Sequence, residues 1–184
     1  MSLLELKDLI YRFNQQKDNT PISLIDNEHR ICGTQEILNL SRGELFIFVF
    51  FDENQNSKLF DVLSNENVFL KILNRSINST INILTNNTAK IKSLGFLSGI
   101  GSNSKINIQA IPNKLSSKII EDTLDNEFIL SSPSNIIFID RYAESKIRLP
   151  ESTSFLTLHD DDFFNALKSY FLRVEDRAKA GEFR

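Results

Sequence analysis

The run Glu44-Leu-Phe-Ile-Phe-Val-Phe-Phe51 constrains the fold more than any other part of the chain. Its β-branched and aromatic residues favour an extended backbone. The run is too short to cross a bilayer as a helix. An unbroken apolar strand, unlike an alternating one, needs cover on both faces. That situation is found in the interior of an α/β sheet.

The flanking segments supply the cover. Ser2 to Phe13 reads as a helix: Ser2 and Glu5 fit a capping box, and Leu3, Leu6, Ile10 and Phe13 share one face. Thr20-Pro21 ends it, and a linker is expected up to Gly33. Thr34 then caps a short helix through Leu40. Val62 to Leu73 is helical with an interruption near Ser64, and Thr80 to Thr85 is a second strand. Thr88 caps a helix to Ser98, closed by Gly99 and Gly101. Lys105-Ile-Asn-Ile-Gln-Ala-Ile111 alternates, as a more exposed third strand would. A short helical stretch follows near Ser116 to Asp122. Glu127–Ser131 and Asn135–Asp140, separated by Ser-Pro-Ser, read as a hairpin, and Phe155 to Leu158 as a shorter strand. Asp160 or Asp161 caps the last helix, whose stripe is Phe164, Leu167, Phe171, Val174 and Ala178.

The first half therefore has βαβ character and the second half is antiparallel. The expected class is α/β, a mixed central sheet with helices on both faces. Residues 1–33 are read as an N-terminal helix and linker, and residues 34–184 as the α/β domain.

Composition removes several chemistries. One cysteine among 184 residues excludes an internal disulfide framework and a cysteine-built metal site. Two histidines leave little material for a zinc centre, so no metal and no cofactor are expected. The opening Met1 to Glu5 lacks a basic region of the secretory type. No apolar run reaches spanning length, so a cytoplasmic protein without a membrane partner is the expectation.

Net charge is −3, which does not favour nucleic acid globally. The distribution is more informative. Residues 67–120 contain no acid but carry Lys71, Arg75, Lys90, Lys92, Lys105, Lys114 and Lys118. Such a segment can face phosphate, or be neutralised by the acidic flanks on folding. Arg75 and Lys105, both expected at one edge of the sheet, are anion-binding candidates. So are Arg141 and Tyr142 after the hairpin, where a ring and a guanidinium can grip an anion together.

Other constellations have plainer explanations. His29 and Cys32 are three apart, the spacing at which an imidazole can meet a thiol, but a loop would not enforce contact. His159 precedes Asp160-Asp161-Asp162, which fits a helix N-terminus better than a metal site. Gly95, Gly99 and Gly101 follow a helix instead of opening one, unlike a phosphate-binding loop.

From Thr34 to Lys179 the pattern resembles one half of the phospholipase D fold, as in a bacterial family of small phospholipase D-like proteins of unknown function. The early apolar strand, Thr80–Thr85, Lys105–Ile111, the hairpin from Asn126 to Asp140 and the aromatic last helix carry the resemblance. Active members have a histidine, a lysine two positions on and an aspartate five further. The resemblance places Asn126, Phe128 and Pro133 at those positions, and none can act as nucleophile or phosphoryl-stabilising cation. It therefore implies a scaffold without that hydrolase activity, leaning away from an enzyme. The implied function is a non-catalytic, protein-binding or self-associating module. A homodimer would form through the terminal helices. The alternative is a nucleic-acid or phosphate-ligand binder using residues 67–120, with weak affinity for nucleic acid.

Overall fold

The computed structural model describes residues 1–95, 105–112, 126–140 and 154–180. Helix α1 (Leu3–Gln16) opens on the expected capping box. Ser2 N donates to Glu5 Oε2 at 2.6 Å, and Glu5 N donates to Ser2 Oγ at 3.3 Å. Strand β1 (Ile22–Ser23) and helix α2 (Asn27–Leu40) follow. The βαβ half comprises β2 (Leu45–Val49), α3 (Lys58–Leu63), α4 (Glu66–Ser76), β3 (Ile81–Thr85), α5 (Thr88–Ser93) and β4 (Ile106–Ala110). The antiparallel half comprises β5 (Asn126–Ser131), β6 (Asn135–Asp140) and β7 (Phe155–Thr157), and helix α6 (Asp161–Ala180) closes the chain.

Among the described residues these strands form one seven-stranded sheet, ordered β1-β7-β6-β5-β2-β3-β4. β2, β3 and β4 are parallel, and β5, β6, β7 and β1 continue antiparallel from β2. The two crossovers, β2 to β3 and β3 to β4, step in the same direction. Right-handed crossovers then put their helices on the same face. The sheet is a mixed one flanked by helices.

Its two faces differ in chemistry. On the first, Leu45, Ile47 and Val49 pack with Ile81, Ile83, Ile129 and Ile137 under helices α1 to α5. On the second, Phe46, Phe48, Phe50 and Phe128 pack against Phe164, Leu167, Phe171 and Val174 of α6. Phe48 is fully buried and stacks on Phe128, with centroids 5.2 Å apart. Every residue of β2 is buried, as its unbroken apolar run requires.

Within the linker expected up to Gly33, Ile22–Ser23 is strand β1, and from Asn27 onward the chain is helix α2. Asp26 caps it: its Oδ1 accepts from His29 N at 2.8 Å. Thr34 is an interior helical residue, its hydroxyl donating to Arg30 O at 2.7 Å. Gly33 lies against the sheet, where an added Cβ would sit 3.3 Å from Leu24 and 3.5 Å from Ile137. The boundary expected after residue 33 falls inside this helix. Leu6, Ile10 and Leu24 belong to the same apolar cluster as β2.

Candidate functional site

In open α/β sheets ligands gather beyond the carboxyl ends of the parallel strands. Here that edge is occupied by the chain itself. Phe51 N donates to Asn86 Oδ1 at 2.8 Å, and Asn86 Nδ2 returns a bond to Phe51 O at 2.8 Å. Asn87 Nδ2 donates to Gln55 Oε1 at 2.6 Å, and Asn87 Oδ1 caps α5 by accepting from Lys90 N at 3.0 Å. Lys90 Nζ donates to the Gln55 carbonyl and lies 5.1 Å from the Phe51 ring centroid and 5.8 Å from that of Phe60.

Beneath this turn is Glu127, fully buried at the start of β5. Its carboxylate accepts from Phe50 N and Leu59 N, each at 3.0 Å, and from Ser57 Oγ at 2.5 Å. These bonds fix the connection from β2 to α3. The sequence offered a signal for Glu127: a lone acid in the otherwise apolar strand Glu-Phe-Ile-Leu, in phase with Ile129 on the helix-covered face.

Arg75 and Lys105 lie at the opposite, amino edge. Lys105 N donates to Ser76 O at 3.1 Å, and Ile81 N donates to Lys105 O at 2.8 Å. The chain thus passes directly beside Arg75, but the two side chains have different fates. Lys105 is exposed. Arg75 is buried, 8 % exposed. Its Nε donates to Gly43 O and its Nη1 to Ser41 O, both at 2.8 Å, and its Nη2 reaches Ser131 Oγ at 2.9 Å. Burial pushes its pKa down to about 10. The guanidinium is spent on joining α4, the α2–β2 connection and β5. Arg141 and Tyr142 lie outside the described residues, as do Lys114 and Lys118, the glycines at 99 and 101 and the helical stretch near 116–122.

The three hairpin positions carry no common chemistry. Asn126 begins β5 opposite Asp140. Phe128 is a core ring under α6. Pro133 is exposed in the β5–β6 turn, after a cis peptide bond from Ser132.

The histidines serve as ties. His29 Nδ1 is 2.7 Å from Asp26 Oδ1, and its Nε2 is 2.9 Å from Met1 O. Cys32 is buried, its Sγ 3.9 Å from Leu3 O, and burial raises its pKa. Both residues fasten α2 to the start of α1. His159 Nε2 is 3.2 Å from Asn14 Oδ1, and Asp160 caps α6 by accepting from Phe163 N at 3.0 Å. Among the described residues no group of three His, Cys, Asp or Glu side chains is placed to hold a metal.

One polar region was not singled out from the sequence. Register puts Phe46, Asn82 and Asn107 in one row across β2, β3 and β4, and Phe48, Leu84 and Gln109 in the next. The second face thus turns from aromatic to carboxamide on passing from β2 to β4. Asn107 Nδ2 donates to Asn82 Oδ1 at 3.0 Å. Lys168 of α6 holds its Nζ 4.8 Å from the Phe46 ring centroid. The signal for β4 was its period-two alternation, which puts Lys105, Asn107 and Gln109 on one side.

These features define a mixed α/β protein with a central sheet flanked by helices, a filled carboxyl edge and a polar outer strand. No protein-family model matches the chain, and no curated protein does. Among solved structures it is similar to TrmBL2, an archaeal chromatin protein whose structure shows a novel mode of DNA binding. The TM-score is 0.57 at 11 % identity, covering 94 % of this chain and 58 % of that one. This chain thus spans less than two thirds of TrmBL2. It is also similar to NucT from Helicobacter pylori, with a TM-score of 0.51 at 9 % identity over 85 % of this chain and 94 % of the other. At such identities the likeness is one of fold.

The comparisons correct the expected family. No family model supports membership of a small phospholipase D-like family, and the structural neighbours are a DNA-binding chromatin protein and NucT. The reading of a phospholipase D-like pseudoenzyme, with Asn126, Phe128 and Pro133 as a decayed motif, falls with it. The apolar stripe of α6, one of the two terminal-helix faces expected to support self-association, packs against the sheet. No helix among the described residues is long and apolar enough to cross a membrane.

Proposed function

We propose that this protein contacts nucleic acid, through electrostatic association with the phosphate backbone. The observation that carries the reading is the likeness, across 94 % of the chain, to a chromatin protein described as binding DNA. The acid-free stretch 67–120 supports it, since Lys105 is exposed there without acidic sequence neighbours. The net charge of −3 limits the strength of the association. Dissociation constants of roughly 10⁻⁴ to 10⁻⁶ M are expected at physiological salt, with affinity falling linearly on a logarithmic salt scale.

Anisotropy titrations of labelled DNA and RNA across a salt series test this. The reading expects binding that strengthens as salt is lowered. Absence of binding at low salt, with protein in large excess, would overturn it.

A further inference from the structure

Resting on that reading, the remaining question is where the nucleic acid lies, and three surfaces compete. The carboxyl edge is filled by the 52–57 turn and sealed by Asn86, Asn87 and Lys90. At the amino edge Arg75 points inward to carbonyls and serines. Exposed Arg42 is followed two residues later by exposed Glu44, which offsets its charge. The third surface is the second sheet face over β3 and β4.

Among the described residues that surface presents exposed polar side chains along an outer strand, which the others do not. Leu84 and Ile111 are buried in the cluster with α6, whereas Lys105 and Asn107 of the outer strand are exposed. Alternation puts Lys105, Asn107 and Gln109 on this face, about 6–7 Å apart along the strand. The bond between Asn107 Nδ2 and Asn82 Oδ1 orients both carboxamides. Asn82 Nδ2 and Asn107 Oδ1 then remain as a donor and an acceptor side by side. A nucleobase edge presents the same pairing, and carboxamides are apt for reading it. Cations stand on two sides: Lys105 at the start of β4, and Lys168, held over Phe46 one strand from Asn82. Neither β3 nor β4 contains an acid. Across β2, β3 and β4 the acid in phase with this face is Glu44, two strands from Lys105 in the row Glu44–Thr80–Lys105 that precedes the paired rows. Of the acids on α6, Glu175 is paired with Lys179 at 2.9 Å.

We propose that this half-face, with Asn82, Lys105, Asn107 and Gln109 and flanked by Lys168, is the contact surface for a nucleic-acid strand. The lysines meet phosphates and the paired carboxamides meet base edges. The two kinds of contact leave different signatures. Phosphate contacts release counterions and steepen the salt dependence, while base contacts add affinity that salt does not remove.

The test uses the full chain and labelled mixed-sequence DNA and RNA oligonucleotides, with circular dichroism confirming that each variant folds. The double variant N82A/N107A is expected to weaken binding about tenfold while leaving the salt slope unchanged. K105E and K168E are each expected to make the slope shallower by about one phosphate contact. K92E, on helix α5, and R42E, at the amino edge, are expected to bind like the unaltered protein. If the unaltered protein binds and K92E or R42E weakens it while the face variants do not, the surface assignment is overturned and the nucleic-acid reading stands. If the unaltered protein does not bind, both fall.

Discussion

Arg75 and Lys105 share a sheet edge and a charge, and only their surroundings separate them. Proximity at the edge was legible, because Arg75 precedes β3 and Lys105 opens β4. The inward turn of Arg75 was not. Its acceptors come from residues 32, 34 and 56 positions away, and no local pattern announces their convergence. A cation so buried and hydrogen-bonded holds structure together. Replacing it with methionine strands buried acceptors and should cost about 1–3 kcal/mol. Arg75→Lys should recover only part of that, since an ammonium cannot reproduce the guanidinium fork. Urea denaturation measures the loss, and an anisotropy titration of each variant should show unchanged affinity for DNA. Weakened binding with stability intact would show instead that Arg75 meets the ligand.

At the scale of elements, reading depended on whether burial was one-sided. β2 was legible because an unbroken apolar strand admits few environments, and β4 because its alternation marks one covered face. Helix α2 was legible from Thr34 to Leu40, but its first half was not, because it buries residues that do not look like core. His29, Arg30, Gly33 and Thr34 are all buried, packed among α1, α4 and β6, so no clean apolar stripe exists. Its start rests on Asp26, whose carboxylate lies below the usual aspartate pKa of 3.8. The backbone N–H of His29 is the main cause, and the His29 ring adds to it. A carboxylate depressed in the folded state stabilises above its unfolded pKa, and that contribution is lost as pH falls through the folded value. Asp26→Ala should therefore lower stability by about 0.5–1 kcal/mol at neutral pH, the low end for a cap because the side chain is half exposed. The gap between the two proteins should close as the pH drops below about 3.8. A gap that persists unchanged in acid would show that the cap does not act through its charge.

For the whole molecule, the order of elements from β2 onward followed from pattern, and so did the change from parallel to antiparallel pairing. The family did not. A βαβ unit followed by a hairpin is compatible with many folds, and function lives in the site. Counting residues placed a supposed motif position on Phe128, which register shows to be a core ring stacked on Phe48. The polar half-face was equally invisible, because it arises only when β3 and β4 pair in register and bring Asn82 beside Asn107. The account stands on whether that half-face meets nucleic acid, and the most direct measurement is an NMR titration of ¹⁵N-labelled protein with an oligonucleotide at low salt. The account predicts that the side-chain amides of Asn82, Asn107 and Gln109 and the backbone amides around Lys105 and Lys168 shift first and together. Shifts confined to the 52–57 turn and α5, with those amides unmoved at saturation, would contradict it.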